Sequence, residues 1–426
     1  MTSWRVAVVA ALLACAVPYG ARAATYLADP TTYAVLARDL RPGDVLRLAP
    51  GIYARGLNVH GLTGTAEQPI RIEAADPALR PVFLAQPGRN TVSIVDAMHV
   101  QIRGLHLEGR NIPVDALKAE GHARFAHFIT LENLRITGHA LSQQNVGIST
   151  KCPAAGWVVR GNEIVGAGTG MYFGNSDGSA PFWGGVIERN VVRDTLGYSV
   201  QVKHQVTRPA LDGYDGPAVT VIRHNVFDKS RGGSAGELAR PNLLVGHQPR
   251  EGRGADDRCL IYGNVFLRNP NEVLFQGEGN LVLQDNLFFN PEGSAVLVRP
   301  HNALPQDVLI LHNTVIARDA GVRLEGANPL RRQRVEANAV FAGTPFGDPS
   351  WGNNVSGSVA MAAVHFADAA RIPWPDVTPT AALVRESARL NWATQVLTRT
   401  PVERPETARG RRVAGAAPEG LGGTVD

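Results

Sequence analysis

Short blocks of alternating aliphatic and polar residues recur along most of the chain, and eight of them carry an asparagine. They read LENLRI, VVRGNEIV, VIERNVV, VIRHNVF, LIYGNVF, LVLQDNLFF, LILHNTVI and VEANAVF, around Asn133, Asn162, Asn190, Asn225, Asn264, Asn286, Asn313 and Asn338. Each block alternates with a period of two over ~4–6 residues and is rich in β-branched side chains, which predicts strand rather than helix. A second short strand follows most of them, reading in turn VGIST, GMYFG, YSVQVKH, NLLVG, EVLFQ, AVLVR and GVRLE. Successive asparagines lie 29, 28, 35, 39, 22, 27 and 25 residues apart. That spacing is too irregular for an array of helix pairs and suits coils whose turns accept insertions. A single coil cannot bury its apolar side, so stacked coils must supply both the core and the ladder hydrogen bonds. The pattern predicts an all-β, single-stranded right-handed parallel β-helix, with the asparagines stacked at a bend where their amides satisfy one another.

The ends of the chain break this rhythm. Residues 30–39 read as a short amphipathic helix, suited to covering the open first coil. After Asn338 the pattern dissolves into Pro-, Gly- and Ala-rich sequence with at most one short helix in 369–390 and an extended tail from Arg404. The N-terminus has Arg5 ahead of an apolar run over 6–17, then Ala21-Arg22-Ala23 as a cleavage site. The expected organisation is therefore a signal peptide over 1–23, a β-helix over 24–345 and a C-terminal cap and tail over 346–426. Export to the periplasm or medium follows, and Cys15 after Leu12-Leu13-Ala14 gives a weaker alternative, a lipid anchor. No other run reaches the ~20 apolar residues of a membrane span.

Composition narrows the partners. Lys and Arg number 42 against 38 Asp and Glu, a formal net charge of +4 over 426 residues, which argues against a nucleic-acid role. One elongated domain, expected as a monomer, accounts for the unbroken repeat. Beyond the leader only Cys152 and Cys259 remain. Three coils separate them, a rise of roughly 14–15 Å at strand spacing, which is beyond disulfide reach.

Three phrases at the start of the coils, RPGDVLRLAPGIY from Arg41, GTAEQPIRIEA from Gly64 and VQIRGLHLEG from Val100, resemble the opening of polysaccharide lyase family 6, the chondroitinase B and alginate lyase group. The resemblance covers about the first quarter of the chain in detail and the rest as coil pattern. It implies a β-helix acting on acidic polysaccharide by β-elimination, with a lysine and an arginine on the helix face. It also implies a calcium ion, held by asparagine and closely spaced glutamates, that neutralises the substrate carboxylate. No such glutamate pair is found in this chain, so calcium stays open as a cofactor.

Aligning the second strands on their aliphatic positions gives an inward column of Val146/Ile148, Met171/Phe173, Val200/Val202, Leu243/Val245, Val273/Phe275, Val296/Val298 and Val322/Leu324. One outward column then reads Gly147, Tyr172, Gln201, Leu244, Leu274, Leu297, Arg323, and the next Ser149, Gly174, Lys203, Gly246, Gln276, Arg299, Glu325. The rim beyond carries Asn175, Asp177, His204, His247, Gln248 and His301, flanked by insertions at 209–217 and 232–257. Cleaving a uronate polymer by β-elimination needs a cation at the carboxylate, a base for the α-proton and an acid for the leaving oxygen. Lys203 or His204 is the candidate base, Arg299 and Asn175 the carboxylate holders, and Tyr172 or His247 the acid. Asp177, Gln201, Gln276 and His301 complete the expected binding surface. Asp177, Asp256 and Asp257 with His247 offer a hydrolase alternative, and a non-catalytic glycan-binding or surface β-helix is the alternative of another class. Convergence of Lys203, His204, His247 and Arg299 in one groove discriminates between enzyme and bystander. No local motif gathers His204, His247 and His301 into a metal site.

Overall fold

The computed structural model describes residues 23–347, 351–372 and 374–390. The leader with its Cys15 and the tail from Arg404 lie outside the described residues. The coils form a right-handed parallel β-helix with three faces. Twelve parallel strands, from Thr25–Ala28 to Gln333–Glu336, stack as the first face. The second runs through Arg135–His139, Glu163–Ala167, Val191–Arg193, Val226–Asp228, Val265–Leu267 and Leu287–Asn290, each paired in parallel with the next. The third runs through Leu117–Ala119, Val146–Thr150, Thr169–Phe173, Val200–Val202, Leu243–Val245, Phe275–Gly277 and Val296–Val298. Each asparagine block therefore spans two strands on different faces, with the bend between them.

At that bend the residue before each stacked asparagine turns left-handed, as at Gly161 (φ 62°), Arg189 (52°), His224 (55°) and Gly263 (62°). The asparagines then form one continuous ladder. From Asn162 through Asn190, Asn225, Asn264, Asn286, Asn313 and Asn338 to Asn354, each Nδ2 donates to the next Oδ1 at 2.8–3.0 Å. Each Nδ2 also donates to a strand carbonyl of the coil before, as Asn264 does to Ile222 O at 2.8 Å. Asn133 is not a rung: Leu134 pairs at that level, accepting no side-chain bond but donating its backbone N–H to Asn162 Oδ1. Asn133 itself occupies the left-handed position (φ 54°), for which asparagine is also suited.

The interior is aliphatic and aromatic, with Phe227, Phe266 and Phe288 stacked at centroid spacings of 5.1 and 4.6 Å. At the first coil, helix Tyr33–Leu36 covers the end, and Tyr33, 1 % exposed, packs edge-on against Tyr53 and Phe83. On the outside of the first face, Arg47, Glu73, Arg103, Glu132, Arg160, Glu188 and Arg223 lie level with one another on seven consecutive strands. They alternate in sign, and Glu188 takes Arg160 and Arg223 at 2.6 Å each.

The C-terminal segment packs on Ala339, Phe341 and Val355 of the last coil and reaches back from there. Residues 358–390 fold back along the outside of the second face, where Ala362, Phe366, Val377 and Leu383 cover Val265, Leu267, Leu287, Phe289, Ile316 and Phe341. It carries an antiparallel pair, Phe366–Asp368 with Asp376–Pro379, and a helix Ala381–Ser387 capped by Thr380. Cys152 and Cys259 are buried and unpaired, their thiols pushed up to about 12 by burial. Among the described residues no helix is long and apolar enough to cross a membrane.

Candidate functional site

The third face presents two outward columns, and their register corrects the sequence alignment. Level with one another stand Lys118, Ser149, Tyr172, Gln201, Leu244, Gln276, Leu297 and Arg323. Two residues further along each strand stand Glu120, Lys151, Gly174, Lys203, Gly246, Glu278, Arg299 and Glu325, each donating its N–H to the coil before. Gln276 thus belongs in the column of Gln201, one strand beyond Leu244, and Glu278, not Gln276, is the neighbour of Arg299. Val273 and Leu274 are not in the strand pairing; Phe275 and Gly277 hold the core positions. The slip has a physical cause. Gly277 occupies an inward position, where a Cβ would lie 2.5 Å from Leu281 Cδ1, so alternation of aliphatic residues points two residues too early. Thr150, fully buried and level with Phe173, misleads in the same way at the other end.

Two adjoining hollows open on this face, sharing Tyr198, Gln201 and Arg240 as their common wall. The first, about 300 Å³, takes in Lys203, His204, Gln276, Glu272, Glu278, Arg299 and His301. The second, about 480 Å³, takes in Asp115, Lys118, Asn145, Lys151, Tyr172 and Ser176. Lys203, His204, Arg299, Gln201, Gln276 and His301 are therefore brought together as the sequence suggests, and Tyr172 joins them in the adjoining hollow. His247, Asn175 and Asp177 line neither. His247 is buried, its Nδ1 against the Gln248 carbonyl and its Nε2 without a hydrogen-bond partner. Asn175 and Asp177 satisfy their own turn: Asn175 bonds Ser179 Oγ and Ala180 N, and Asp177 accepts from Ser179 N and Oγ. Asp257 belongs to a buried pair with Arg208 at 2.7 Å, and Asp256 is exposed, so the carboxylates of the hydrolase alternative do not gather.

The insertions divide differently from the expectation. Residues 209–217 pack with Trp183 and Ala218 at the turn from the third face to the first, through Leu211 and Tyr214, and line neither hollow. The stretch 232–257 is two loops: 229–242 ahead of strand Leu243–Val245, which supplies Ala239, Arg240 and Pro241 to the first hollow, and a second after it, tied by Asp257.

The missed residues are Lys118, Lys151, Asp115, Tyr198, Arg240, Glu272 and Glu278. Lys151 was within reach of alternation, two residues beyond Ser149. Lys118 lies on a strand, Leu117–Ala119, that no asparagine block announces.

Burial sets the chemistry of the amines. Lys151 is drawn down to about 8, first by burial, then by Lys118 and Lys203, with Asp115 opposing. Its Nζ lies 3.3 Å from the Tyr172 ring centroid and donates to Gly174 O at 3.2 Å. Lys203, half-buried, is also lowered by burial, with Glu278 opposing. His204 is lowered by burial and by Lys203 beside it. Burial raises the Tyr172 phenol, keeping it protonated. Gly174 separates Lys151 from Lys203 in the column, and Gly246 follows Lys203; a Cβ at Gly246 would meet His204 N at 2.2 Å. Asp115 accepts from Val146 N at 2.9 Å and faces Lys118 at 3.6 Å, while Glu278 accepts from Asn302 N at 2.7 Å. Among the described residues no group of three His, Cys, Asp or Glu is gathered to hold a metal ion.

No protein-family model matches the chain. No curated protein matches it in sequence. Solved structures similar to it include an alginate lyase from Paenibacillus sp. str. FPU-7, at 16% identity over 78% of this chain and 98% of that one, with a TM-score of 0.41. Pectate lyase Pel9A is similar at 12% identity over 92% and 96%, TM-score 0.46. A mannuronic acid specific polysaccharide family 6 lyase from human gut microbiota is similar at 14% identity over 70% and 80%, TM-score 0.31. At these identities and scores the likenesses assign neither family nor activity, and the β-helix rests on the strand pairing of the chain itself.

Proposed function

We propose that the chain binds an acidic polysaccharide along the third face and cleaves it by β-elimination. The observation that carries this reading is a buried lysine, Lys151, drawn down to about 8 and separated by Gly174 from a second lysine, Lys203, in a groove walled by Arg240. A lysine at about 8 has a substantial neutral fraction near physiological pH, which is what a general base requires. Lys151 is the base in this reading, and Lys203 with Arg240 neutralises the uronate carboxylate. Neutralisation makes the α-proton acidic enough to remove. Lys151 takes the C5 proton, the C5 electron pair forms the C4–C5 double bond, the C4–O bond breaks, and the Tyr172 hydroxyl gives its proton to the departing oxygen. The amine lies over the Tyr172 ring, so base and acid stand on one side of the groove, as a syn elimination needs. The apolar N-terminal run would carry the chain out of the cytoplasm to where such polymers occur.

The test is purified protein against alginate, polygalacturonate, chondroitin and heparan chains, following the ultraviolet absorbance of the conjugated product with and without added calcium. A rise on one polymer that Lys151→Met abolishes and Lys203→Met weakens chiefly through KM supports the roles given. New reducing ends with no absorbance would make the chain a hydrolase, and binding without either would make the groove a receptor for glycan.

A further inference from the structure

Among the described residues Arg240 is the one cation common to both hollows, yet it sits on a segment with little apolar anchorage. The short 3-10 turn Gly236–Leu238 has no buried residue, and Leu238 is 57 % exposed. What ties the segment down is polar: Ser234 N to Leu196 O at 2.8 Å, Gln143 Nε2 to Leu238 O at 2.6 Å, and Asn271 Nδ2 to Gly233 O at 3.3 Å. Beneath it lies Lys229, fully buried although its amine forms no ion pair among the described residues. Its Nζ donates to Arg240 O at 2.8 Å, closing the segment at its neck. Asn269 Nδ2 donates to the same carbonyl at 2.9 Å and to Asn242 Oδ1 at 3.0 Å. Gly233, at φ 102°, closes over the lysine stem, where a Cβ would lie 3.3 Å from Cε.

We propose that Lys229 is a positioning residue, whose buried amine fixes the Arg240 main chain so that the guanidinium stands at the junction of the two hollows. A buried amine is costly to a fold, and a side chain such as Met would fill the same space without that cost. What Met lacks is a donor for the Arg240 carbonyl. The charges facing the amine are Glu272, which lines the first hollow, and Arg240 itself. Burial draws Lys229 down to about 7 against the pull of Glu272, in keeping with an amine retained as a donor rather than as a charge.

The experiment compares wild type, Lys229→Met, Lys229→Gln, Arg240→Ala and the Lys229→Met/Arg240→Ala double variant by amide hydrogen exchange and by affinity for alginate and polygalacturonate. In Lys229→Met, exchange across 230–242 rises on the order of tenfold while the neighbouring strands keep their protection. Affinity falls as far as in Arg240→Ala, the double variant loses nothing more, and Lys229→Gln, which keeps a donor, recovers part of both. Unchanged exchange in Lys229→Met overturns the proposal, as do additive losses in the double variant. The affinity arm rests on the groove binding acidic polymer; the exchange arm does not, so a protein that ignores both polymers would still decide the role of Lys229.

Discussion

Asn264 and Asn133 look alike in the sequence, each closing an aliphatic block, and the fold uses them for different ends. Asn264 is 1 % exposed, donates to Asn286 and Ile222, and accepts from Asn225 N and Nδ2. Replacing it by Ala strands several buried groups at once, and each costs about 1–3 kcal/mol. Asn264→Ala is expected to lower unfolding free energy by on the order of 3 kcal/mol. Asn133→Gly, at an exposed left-handed position, should change it by less than about 0.5 kcal/mol. Denaturant titration of the two variants checks the contrast, and equal losses would mean that the ladder is not what holds the bend. Asparagine was legible because it suits both uses; which use applied depended on a one-residue offset that only pairing reveals. The lysines were legible unevenly for a related reason. Lys203 announced itself beside a histidine at the end of a clear strand, whereas the significance of Lys151 comes from what surrounds it. Its lowered value gives a pH prediction with a definite sign. The neutral amine is the active base, so the elimination rate should rise with pH through about 8. A rate that instead falls across that range would remove Lys151 from the role of base.

At the level of strands and loops, the alternation of aliphatic residues found the third face and misjudged its register wherever a core position was filled by something other than an aliphatic side chain. Gly277 and Thr150 are those positions, and each moved the apparent columns by two residues. Long loops were legible as insertions, but length alone could not say which of them borders the groove. The 209–217 loop and the one ending at Asp257 turn away from it and share one fastening. Arg208, 2 % exposed, donates to both Asp257 oxygens, to Tyr214 O and to Gly216 O, and Asp257 also accepts from Ala218 N. Removing one partner of such a pair leaves a buried charge and typically costs about 3–5 kcal/mol. Asp257→Ala should therefore loosen both loops together, seen as new protease cuts within 209–217 and 249–257. Polymer affinity should stay within about twofold of wild type, since neither loop lines a hollow. Loss of affinity in step with the cuts would place these loops in the site after all.

Across the whole molecule, stacking makes stability a matter of neighbours: each coil is held by the two beside it, and an end without cover is where unravelling starts. Helix Tyr33–Leu36 covers one end. The other end is protected sideways, by the segment 358–390 lying on the second face over Leu267, Phe289, Ile316 and Phe341. The sequence signalled a terminal cap after the last repeat but not its course along the second face, because nothing in a Pro- and Ala-rich stretch names the surface it covers. Ending the chain at Gly357 would expose that apolar face to water, at about 25 cal/mol for each Å² uncovered. The damage should be graded along the axis. The coils beneath the segment, from Val265 onward, should lose amide protection first, and dye binding to exposed apolar surface should appear. The coils before Val202 touch none of the segment's apolar residues and should keep their protection. The second hollow is built chiefly on residues 90–201, whereas the first draws on 272–302. A truncated chain should thus lose the Arg299 end of the groove while Lys118 and Lys151 remain in place. If polymer affinity depends mainly on those two lysines, it should fall by less than about tenfold in the truncated chain, and adding Lys118→Met with Lys151→Met should abolish what is left. Complete loss on truncation alone, with the early coils still protected from exchange, would put the decisive contacts at the Arg299 end instead.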